Sequence, residues 1–272
     1  MSTIPVTTDP LRVMTFNLRY GLADDGENRW ENRRELLIET IRRFDPDLLG
    51  TQECLNFQAD FLCEKLSDYR LIGVGRLDGR HDGELNAVLY RSERFEPLDS
   101  GTFWLSENPS QPGSLGWDAE LPRIVTWVKL FDQRTDSPLL HLNTHWDHLG
   151  RQAQLESARL MRRWIAERSQ GLPTIVTGDF NIGVDGEPYH ALADGDPKLI
   201  DAYRVQHAAG GAEPEGTYQG FTGKPKIERI DWILCSTGVR IEQCEIDRFN
   251  RDGKYPSDHF PVTAIVTMQS PG

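Results

Sequence analysis

The chain has 272 residues, of which 38% are hydrophobic and 26% charged, and its formal net charge is −12. This composition is typical of globular proteins large enough to bury a substantial core without disulfides or other cross-links. The negative charge argues against a protein held on a long nucleic-acid duplex mainly by phosphate contacts, although a bound divalent cation can still attract an anionic substrate locally.

The first part of the chain alternates strand-like and helix-like patterns. Residues 11–18, "LRVMTFNL", predict a strand. In "RWENRRELLIETIRRF", Leu37, Ile41 and Phe44 stand at i, i+4 and i+7, which predicts an amphipathic helix. A proline in "DPDLLGTQE" ends that helix before a second strand, and residues 57–66 predict a second outer helix.

The remaining elements are mostly strands. Five strand-like segments follow, separated mostly by turn residues: "YRLIGVG", "NAVLYR", "TFWLS", "RIVTWVKLF" and "LLHLNTHW". A third helix, "RQAQLESARLMRRWIAERS", carries Leu155, Ala158, Met161 and Ile165 on one face. The strand "TIVTGDF" leads into a segment predicted to be loop-rich to about residue 225, and the last strands are "ERIDWILCS", "VRIEQCEIDRF" and "PVTAIVTM".

Many strands with few amphipathic helices predict an α/β protein in which two sheets pack face to face and helices cover the outer faces. No repeat, low-complexity block or linker interrupts the chain, which favours one domain over residues 1–272 with its core at about 11–268. Four cysteines without a C-x-x-C pair are expected to be free, buried thiols. With no leader-like or membrane-spanning apolar run, we expect a cytoplasmic protein without membrane contact or an obligate protein partner.

Short polar residues recur where apolar strands end. Each one alone is most simply a turn former, but polar groups at the ends of several strands can converge on one point. Carboxylates, carboxamides and imidazoles gathered in this way supply what phosphoester hydrolysis requires. The group comprises Asn17, Gln52, Glu53, Asn143, His145, Asp179, Asn181, Asp231, Asp258 and His259.

The segment "TIVTGDFNIG" is the clearest example. Asp179 and Asn181 stand two residues apart at the end of a strand, and in an extended chain such side chains lean to the same side. We therefore expect a carboxylate and a carboxamide in one small volume.

The motifs "TQE", "GDFN" and "SDHFPV", in this order and over nearly the whole chain, resemble those of the endonuclease/exonuclease/phosphatase superfamily. The resemblance implies the deoxyribonuclease I-like fold, a four-layer sandwich of two mixed sheets with outer helices. Further similarity in "DGELNAVLYR", "NTHWDHLG" and "GFTGKPKIERIDWIL" indicates a bacterial branch whose substrates are mostly unassigned.

The resemblance also implies a metal site. Glu53 would be the principal ligand of Mg²⁺ or Mn²⁺, assisted by Asn17 and Asp258, because small hard cations prefer carboxylate and carboxamide oxygens. Catalytic roles follow from the same resemblance. Asp179 would align and deprotonate water, or act as a second metal ligand, and Asn181 would hold the nucleophile or a phosphate oxygen.

The imidazoles complete the implied catalytic set. His259 would donate to the phosphate or transfer a proton, with Asp231 fixing its tautomer, and His145 would be a second donor. Arg123, Asn143 and Lys226 are candidate substrate-binding residues. Each also has a plain alternative: an ion pair for Arg123, loop ordering for Asn143 and exposure to solvent for Lys226.

Three aromatic residues remain open in the same way. Trp104, Trp117 and Tyr218 could stack on a base, but packing in the core is the favoured interpretation.

The sequence thus predicts a divalent-metal-dependent phosphoester hydrolase acting on a nucleotide, a short nucleic-acid end or a phosphorylated metabolite. One alternative is an abasic-site-like endonuclease, which a net charge of −12 does not favour. A second is a non-catalytic phosphate-binding protein, which we would expect to have lost one or more of the polar residues at the strand ends.

Overall fold

The computed structural model describes residues 9–207 and 215–268, and the predictions for residues 1–8, 208–214 and 269–272 lie outside these ranges. The strands are β1 (Leu11–Asn17), β2 (Leu48–Gln52), β3 (Tyr69–Ile72), β4 (Val88–Arg91), β5 (Phe95–Trp104), β6 (Ile124–Asp132), β7 (Ser137–His145), β8 (Thr174–Asp179), β9 (Leu199–Asp201), β10 (Asp231–Ser236), β11 (Val239–Ile246) and β12 (Val262–Met268). The helices are α1 (Trp30–Phe44), α2 (Asn56–Lys65), α3 (Arg151–Arg168), α4 (Glu187–Ala193) and α5 (Ala202–Gln206). A 3-10 turn at Gly26–Asn28 precedes α1.

The strands form two six-stranded mixed sheets, with the orders β11-β12-β1-β2-β4-β3 and β5-β6-β7-β8-β10-β9. Each sheet contains one parallel pair, β1 with β2 and β7 with β8, joined by α1 and α3 respectively. Parallel neighbours need such a crossover, and their carboxyl ends meet at one edge of the sheet. The predicted two-sheet architecture with outer helices is confirmed.

The helices cover the outer faces through apolar contacts. Leu37 and Ile41 of α1 and Leu62 of α2 pack in one cluster with Phe16 and Leu49 of the first sheet. On the second sheet, α3 and α4 contribute a separate cluster. On the apolar face predicted for the third helix, Ala158, Met161 and Ile165 are buried in this cluster. Burial of one face is what the helical spacing of apolar residues predicts.

The layer between the sheets changes in character along the strands. At one end Leu139 of β7 and Ile175 of β8 belong to a large apolar cluster. Two residues further along each strand, on the same face, stand His141 and Thr177, which are fully buried and hydrogen-bonded to each other at 2.9 Å. The inter-sheet layer is therefore apolar at one end and polar at the other.

Several predicted boundaries need correction. The strand β5 begins at Phe95 rather than at the predicted "TFWLS", because pairing along β6 extends it through residues with no alternating pattern. The segment predicted to be loop-rich contains α4, β9 and α5. Among the cysteines, all free, Cys63 is exposed and the other three are buried. No helix in the described ranges is long and apolar enough to cross a membrane.

Candidate functional site

The first part of the site lies where β1 and β2 end. Asn17, the last residue of β1, donates from Nδ2 to Glu53 Oε1 and to Asp179 Oδ2, both at 2.9 Å. Glu53 directly follows β2 and accepts a hydrogen bond from the Tyr20 backbone N–H at Oε2 (2.6 Å). Asn17 Oδ1 accepts from the Arg19 N–H at 2.9 Å. Asn17 therefore bridges the two carboxylates, and its predicted role as a metal ligand remains a prediction.

The turn after β8 places the next pair. Asp179 Oδ1 accepts the backbone N–H of Asn181 at 2.9 Å, and Asn181 Nδ2 donates to the Trp146 carbonyl at 3.0 Å. Asn181 has a left-handed backbone (φ 52°), so a turn, and not the expected strand extension, brings the two residues together. Phe180 points the other way and stacks on Trp232 with ring centroids 4.1 Å apart, which anchors this turn in the outer core.

Backbone conformation is unusual at this edge. Arg19, Glu53 and Asn181 all have positive φ, at 61°, 57° and 52°. Such conformations are costly for residues other than glycine and persist where the surrounding structure enforces them. Three of the nine non-glycine residues with positive φ in the described ranges thus lie at this edge.

Asp179 is 1% exposed and lies near a second carboxylate. Burial and the charge of Asp231 raise the pKa of Asp179 to about 7, while His259 acts in the opposite direction. Without a cation, the site thus holds this carboxyl group only partly ionised near neutral pH.

His259 and Asp231 form a buried pair. His259 Nδ1 lies 2.9 Å from Asp231 Oδ2, and its Nε2 lies 3.8 Å from Asp179 Oδ2. Burial opposes protonation, but the charges of Asp231 and Asp179 outweigh it and raise the pKa of His259 well above its usual value. His259 is therefore a cation whose Nε2–H faces the carboxylates, and the predicted pairing with Asp231 is present.

His145, at the end of β7, approaches the same oxygen of Asp179 as His259 does, with Nε2 3.6 Å from Asp179 Oδ2. Its pKa is lowered well below the usual value by burial and by the nearby charges of Arg123 and Arg76. The two imidazoles that flank Asp179 therefore differ in charge: His259 is protonated and His145 is neutral.

A buried ion pair lies behind His145. Glu84 Oε2 is 3.9 Å from His145 Nδ1, and Glu84 is bound to Arg76 at 2.9 Å. Sequence reasoning missed both residues, because they come from the connection between β3 and β4 and follow no strand. The only local signal is the carboxylate of Glu84 within "DGELNAVLYR", a segment that resembles the family.

Asp258 and Arg19 close the site from the first sheet. Arg19 Nε lies 3.6 Å from Asp258 Oδ2, and the same guanidinium forms an ion pair with Asp25 at 2.9 Å. The pKa of Asp258 is raised, because burial outweighs the charges of His259 and Arg19, which act to lower it. Arg19 is a further site residue that the sequence analysis did not single out.

A cavity of about 280 Å³ opens among these residues, and Arg123 lines it together with His145, Asn181 and His259. Arg123 is 4% exposed, and its Nη2 lies 3.1 Å from His148 Nδ1. Within the described residues its buried Nη1 has no hydrogen-bond partner. Arg123 Nε also forms an ion pair with Asp147 at 3.5 Å, so the alternative interpretation of this residue is present. A buried guanidinium with an unpartnered nitrogen is chemically suited to bind an anion, and the substrate contact of Arg123 stays a prediction.

Asn143 is different. Its Oδ1 accepts from Gln52 (2.7 Å) and Thr177 (3.0 Å), and its Nδ2 donates to the carbonyls of Thr51 (2.8 Å) and Ala87 (3.0 Å). The side chain is fully buried and has no hydrogen-bonding capacity left. The structure therefore does not support substrate binding by Asn143 and gives it a positioning role beneath the site.

The three aromatic candidates have different environments in the structure. Trp104 is buried and donates to the Arg76 carbonyl at 2.7 Å, so its core assignment is confirmed. Tyr218 instead lines the cavity, with its ring 5.2 Å from that of His259. Lys226 is exposed at the rim, with Nζ 5.4 Å from the Tyr218 ring. Trp117 does not line this cavity.

Among the described residues, two overlapping sets of side chains could hold a metal ion. One consists of Glu53, His145 and Asp179, the other of Asp179, Asp231 and His259, and in each set the ligand atoms lie within 4.8 Å of one another. In the second set Asp231 already accepts from a protonated imidazole, which is a poor ligand. The first set, with two carboxylates and a neutral imidazole, fits a divalent cation better.

Comparison with known proteins places this geometry in context. A family model described as Endonuclease/Exonuclease/phosphatase family matches residues 14–259. A solved endonuclease/exonuclease/phosphatase from Bacteroides vulgatus is 36% identical with a TM-score of 0.89, over 96% of this chain and 100% of that chain.

Two further relatives carry more specific descriptions. A Bacteroides thetaiotaomicron structure described as a mannosyl-6-phosphatase is 34% identical with a TM-score of 0.86, over 94% of this chain and 99% of that chain. The Xenopus laevis protein Nocturnin is 25% identical over 92% of this chain and 71% of its own length.

Proposed function

Because the chain belongs to the endonuclease/exonuclease/phosphatase family, we propose that it is a divalent-metal-dependent phosphatase that hydrolyses phosphate monoesters of small molecules. One observation carries the proposal. Carboxylates and imidazoles from both sheets, Glu53, Asp179, Asp231, His145 and His259, form two overlapping sets with ligand atoms within 4.8 Å in each set. Of these residues, His145 and His259 line the cavity of about 280 Å³.

Glu53 and Asp179 are the residues best placed to hold the metal, because both present carboxylate oxygens to the same point. When bound there, Mg²⁺ or Mn²⁺ would polarise a phosphoryl oxygen and offset the negative charge that develops during hydrolysis. Asn17 donates from its amide nitrogen to each of the two carboxylates and so holds them at a fixed separation.

Side chains of the protein supply the remaining functions, which are a base, a hydrogen-bond donor to the phosphate and a group that orients the water. Asp179, held by the Asn181 N–H at 2.9 Å, is oriented to accept a proton from the attacking water. His259 offers a charged N–H to a phosphate oxygen, since Asp231 occupies its other nitrogen. Asn181, whose Oδ1 is not engaged within the described residues, orients the water. No covalent intermediate on the protein is needed.

The preference for a monoester rests on charge and size. A terminal phosphate carries up to two negative charges, and the cavity offers two cationic donors for it, the unpartnered Arg123 Nη1 and the protonated His259. The volume of about 280 Å³ suits a terminal phosphate better than a polymer backbone. The 34% identity to a protein described as a mannosyl-6-phosphatase favours the same substrate class.

A second candidate is an exonuclease acting on short nucleic-acid ends. Its support is the 24% identity, over 70% of this chain and 42% of the relative's length, to a Saccharomyces cerevisiae protein described as a probable RNA exonuclease. The net charge of −12 weighs against a long duplex, and so against the abasic-site-like endonuclease. The non-catalytic alternative loses support because the carboxylates, Asn181 and both imidazoles of the predicted site are present and converge.

The test is a hydrolysis screen of the purified protein with added Mg²⁺ or Mn²⁺, using p-nitrophenyl phosphate, bis-p-nitrophenyl phosphate, sugar phosphates, nucleotides and single-stranded oligonucleotides. Glu53→Ala serves as the blank. We expect metal-dependent turnover of monoesters that the variant lacks. Faster turnover of diesters or oligonucleotides would favour the exonuclease, and equal activity in wild type and Glu53→Ala would reject a metal-dependent enzyme at this site.

A further inference from the structure

A second cavity adjoins the catalytic one. It measures about 460 Å³ and shares His148, Asn181, Ile227 and Ile230 with the catalytic cavity. We call it the side groove. Because the two are continuous, a molecule whose phosphate occupies the catalytic cavity has room to extend its remaining part into the side groove.

The lining of the side groove combines aliphatic and polar side chains, with a single carboxylate and one arginine, Arg151. Leu149, Ile182, Ile227 and Ile230 supply apolar surface, and Leu149 and Ile227 are 62% and 49% exposed. The described residues that line it include no Phe, Tyr or Trp. Stacking of a nucleobase on an aromatic ring, a common mode of binding single strands, is therefore not available there.

Glu228 is the carboxylate of the side groove. Within the described ranges its side chain has no hydrogen-bond or ion-pair partner, although Arg151 lies on the same groove. An ionised carboxylate only accepts hydrogen bonds, so it attracts hydroxyl or amine donors and repels a phosphate chain. A leaving group with several hydroxyls and no charge can donate hydrogen bonds to this carboxylate without placing a second negative charge beside it.

We propose that the side groove binds the leaving group of the substrate, an uncharged ring that carries hydroxyl groups, with Glu228 accepting hydrogen bonds from those hydroxyls. The aliphatic wall covers the C–H face of the ring. This assignment rests on the proposed phosphatase function and narrows it to polyol or sugar phosphates.

Gly183 provides an independent way to move the carboxylate. A Cβ at Gly183 would lie 1.8 Å from Glu228 Cδ, and the contact is with the flexible end of a side chain. Gly183 does not have a positive φ, so alanine is compatible with its backbone. Gly183→Ala therefore keeps the carboxylate but displaces it.

The experiment measures kcat/KM for a hexose 6-phosphate and for phenyl phosphate, and takes their ratio as the preference for a hydroxylated leaving group. In wild type the ratio is expected to exceed 1. Loss of hydrogen bonds to a charged acceptor should lower it about 10- to 100-fold in Glu228→Gln, and Gly183→Ala should shift it in the same direction. Glu96→Gln, at an exposed position of β5 that lines neither cavity, is the matched control and should retain the wild-type ratio.

The two proposals fail in different ways. If wild type hydrolyses neither compound with added metal, the phosphatase function is wrong. If wild type hydrolyses phenyl phosphate but shows no preference for the sugar phosphate, or if Glu228→Gln and Gly183→Ala leave the ratio unchanged, the side-groove assignment alone is overturned. A loss in these variants that appears for nucleoside monophosphates and not for sugar phosphates would also overturn it, since the occupant would then be a nucleobase.

Discussion

The two ends of the layer between the sheets differ in function: one end stabilises the fold and the other supports the site. At the apolar end, Leu139, Ile175 and Val13 belong to one buried cluster that stabilises the sandwich. At the polar end, Asn143 of β7 and Thr177 of β8 form a buried hydrogen-bond network with Gln52 of β2 directly beneath the site. The side chains beneath the site are therefore held in position by hydrogen bonds of defined geometry.

Single strands contribute to both the apolar cluster and the polar site. Strand β7 runs from Leu139 in the apolar cluster to His145 beside Asp179. Substitutions at its two ends should therefore have different signatures.

The largest effect is expected from Asp179→Asn at the polar end. Removing the proposed base and metal ligand should lower kcat/KM by about 10³-fold or more. Because burial raises the pKa of this carboxyl to about 7, the group destabilises the metal-free fold at neutral pH, and the amide should keep or increase the free energy of unfolding. Steady-state kinetics and urea unfolding check both statements, and a large loss of stability would contradict the separation.

The next effect is expected from Asp231→Asn. The amide leaves His259 without its anionic partner at 2.9 Å, so the imidazole is less readily charged and less firmly oriented. We expect kcat to fall about 10²- to 10³-fold. KM should change less, and a variant in which KM alone changes would give Asp231 a role in substrate binding only.

At the apolar end, Leu139→Ala should mainly affect stability. Leu139 is 1% exposed, and truncation leaves a cavity that should cost about 2 to 4 kcal/mol of unfolding free energy. The protein that remains folded should keep nearly wild-type kcat/KM. If its activity fell as far as that of Asp179→Asn, the two ends would not be independent.

A smaller loss of stability than in Leu139→Ala is expected at the junction of the two ends. A Cβ at Gly50 would lie 2.2 Å from Thr177 Oγ1 and 2.5 Å from Asn143 Oδ1. Gly50→Ala should therefore cost about 1 to 3 kcal/mol of unfolding free energy, with a modest loss of activity, because it disturbs the network beneath the site. Thermal unfolding and kinetics test this, and an increase in stability would show that the close approach at Gly50 is not needed.

Much of the fold could be predicted because its signals are local. The helical period at Leu37 and Ile41 and the alternation of β1 describe burial that both sheets require. The extended start of β5 at Phe95 was missed, since those residues are ordered by pairing with β6 and carry no pattern of their own.

The site divides in the same way. Glu53, Asp179 and His259 follow strands within recognisable motifs, so their convergence could be expected. Asn143 has the same alternation as His145, and nothing in the local sequence shows that it faces Gln52 of the opposite sheet rather than a substrate.

By itself, the sequence determined which residues end the strands and which chemistry they carry, because alternation and motif spacing are properties of neighbouring residues. Only the tertiary structure decided that Glu84 and Arg76 lie behind His145, that Arg19 reaches Asp258, and that a groove with Glu228 adjoins the catalytic cavity. These contacts join segments distant in the chain, and the packing of two separate sheets, each with its own connections, sets their distances.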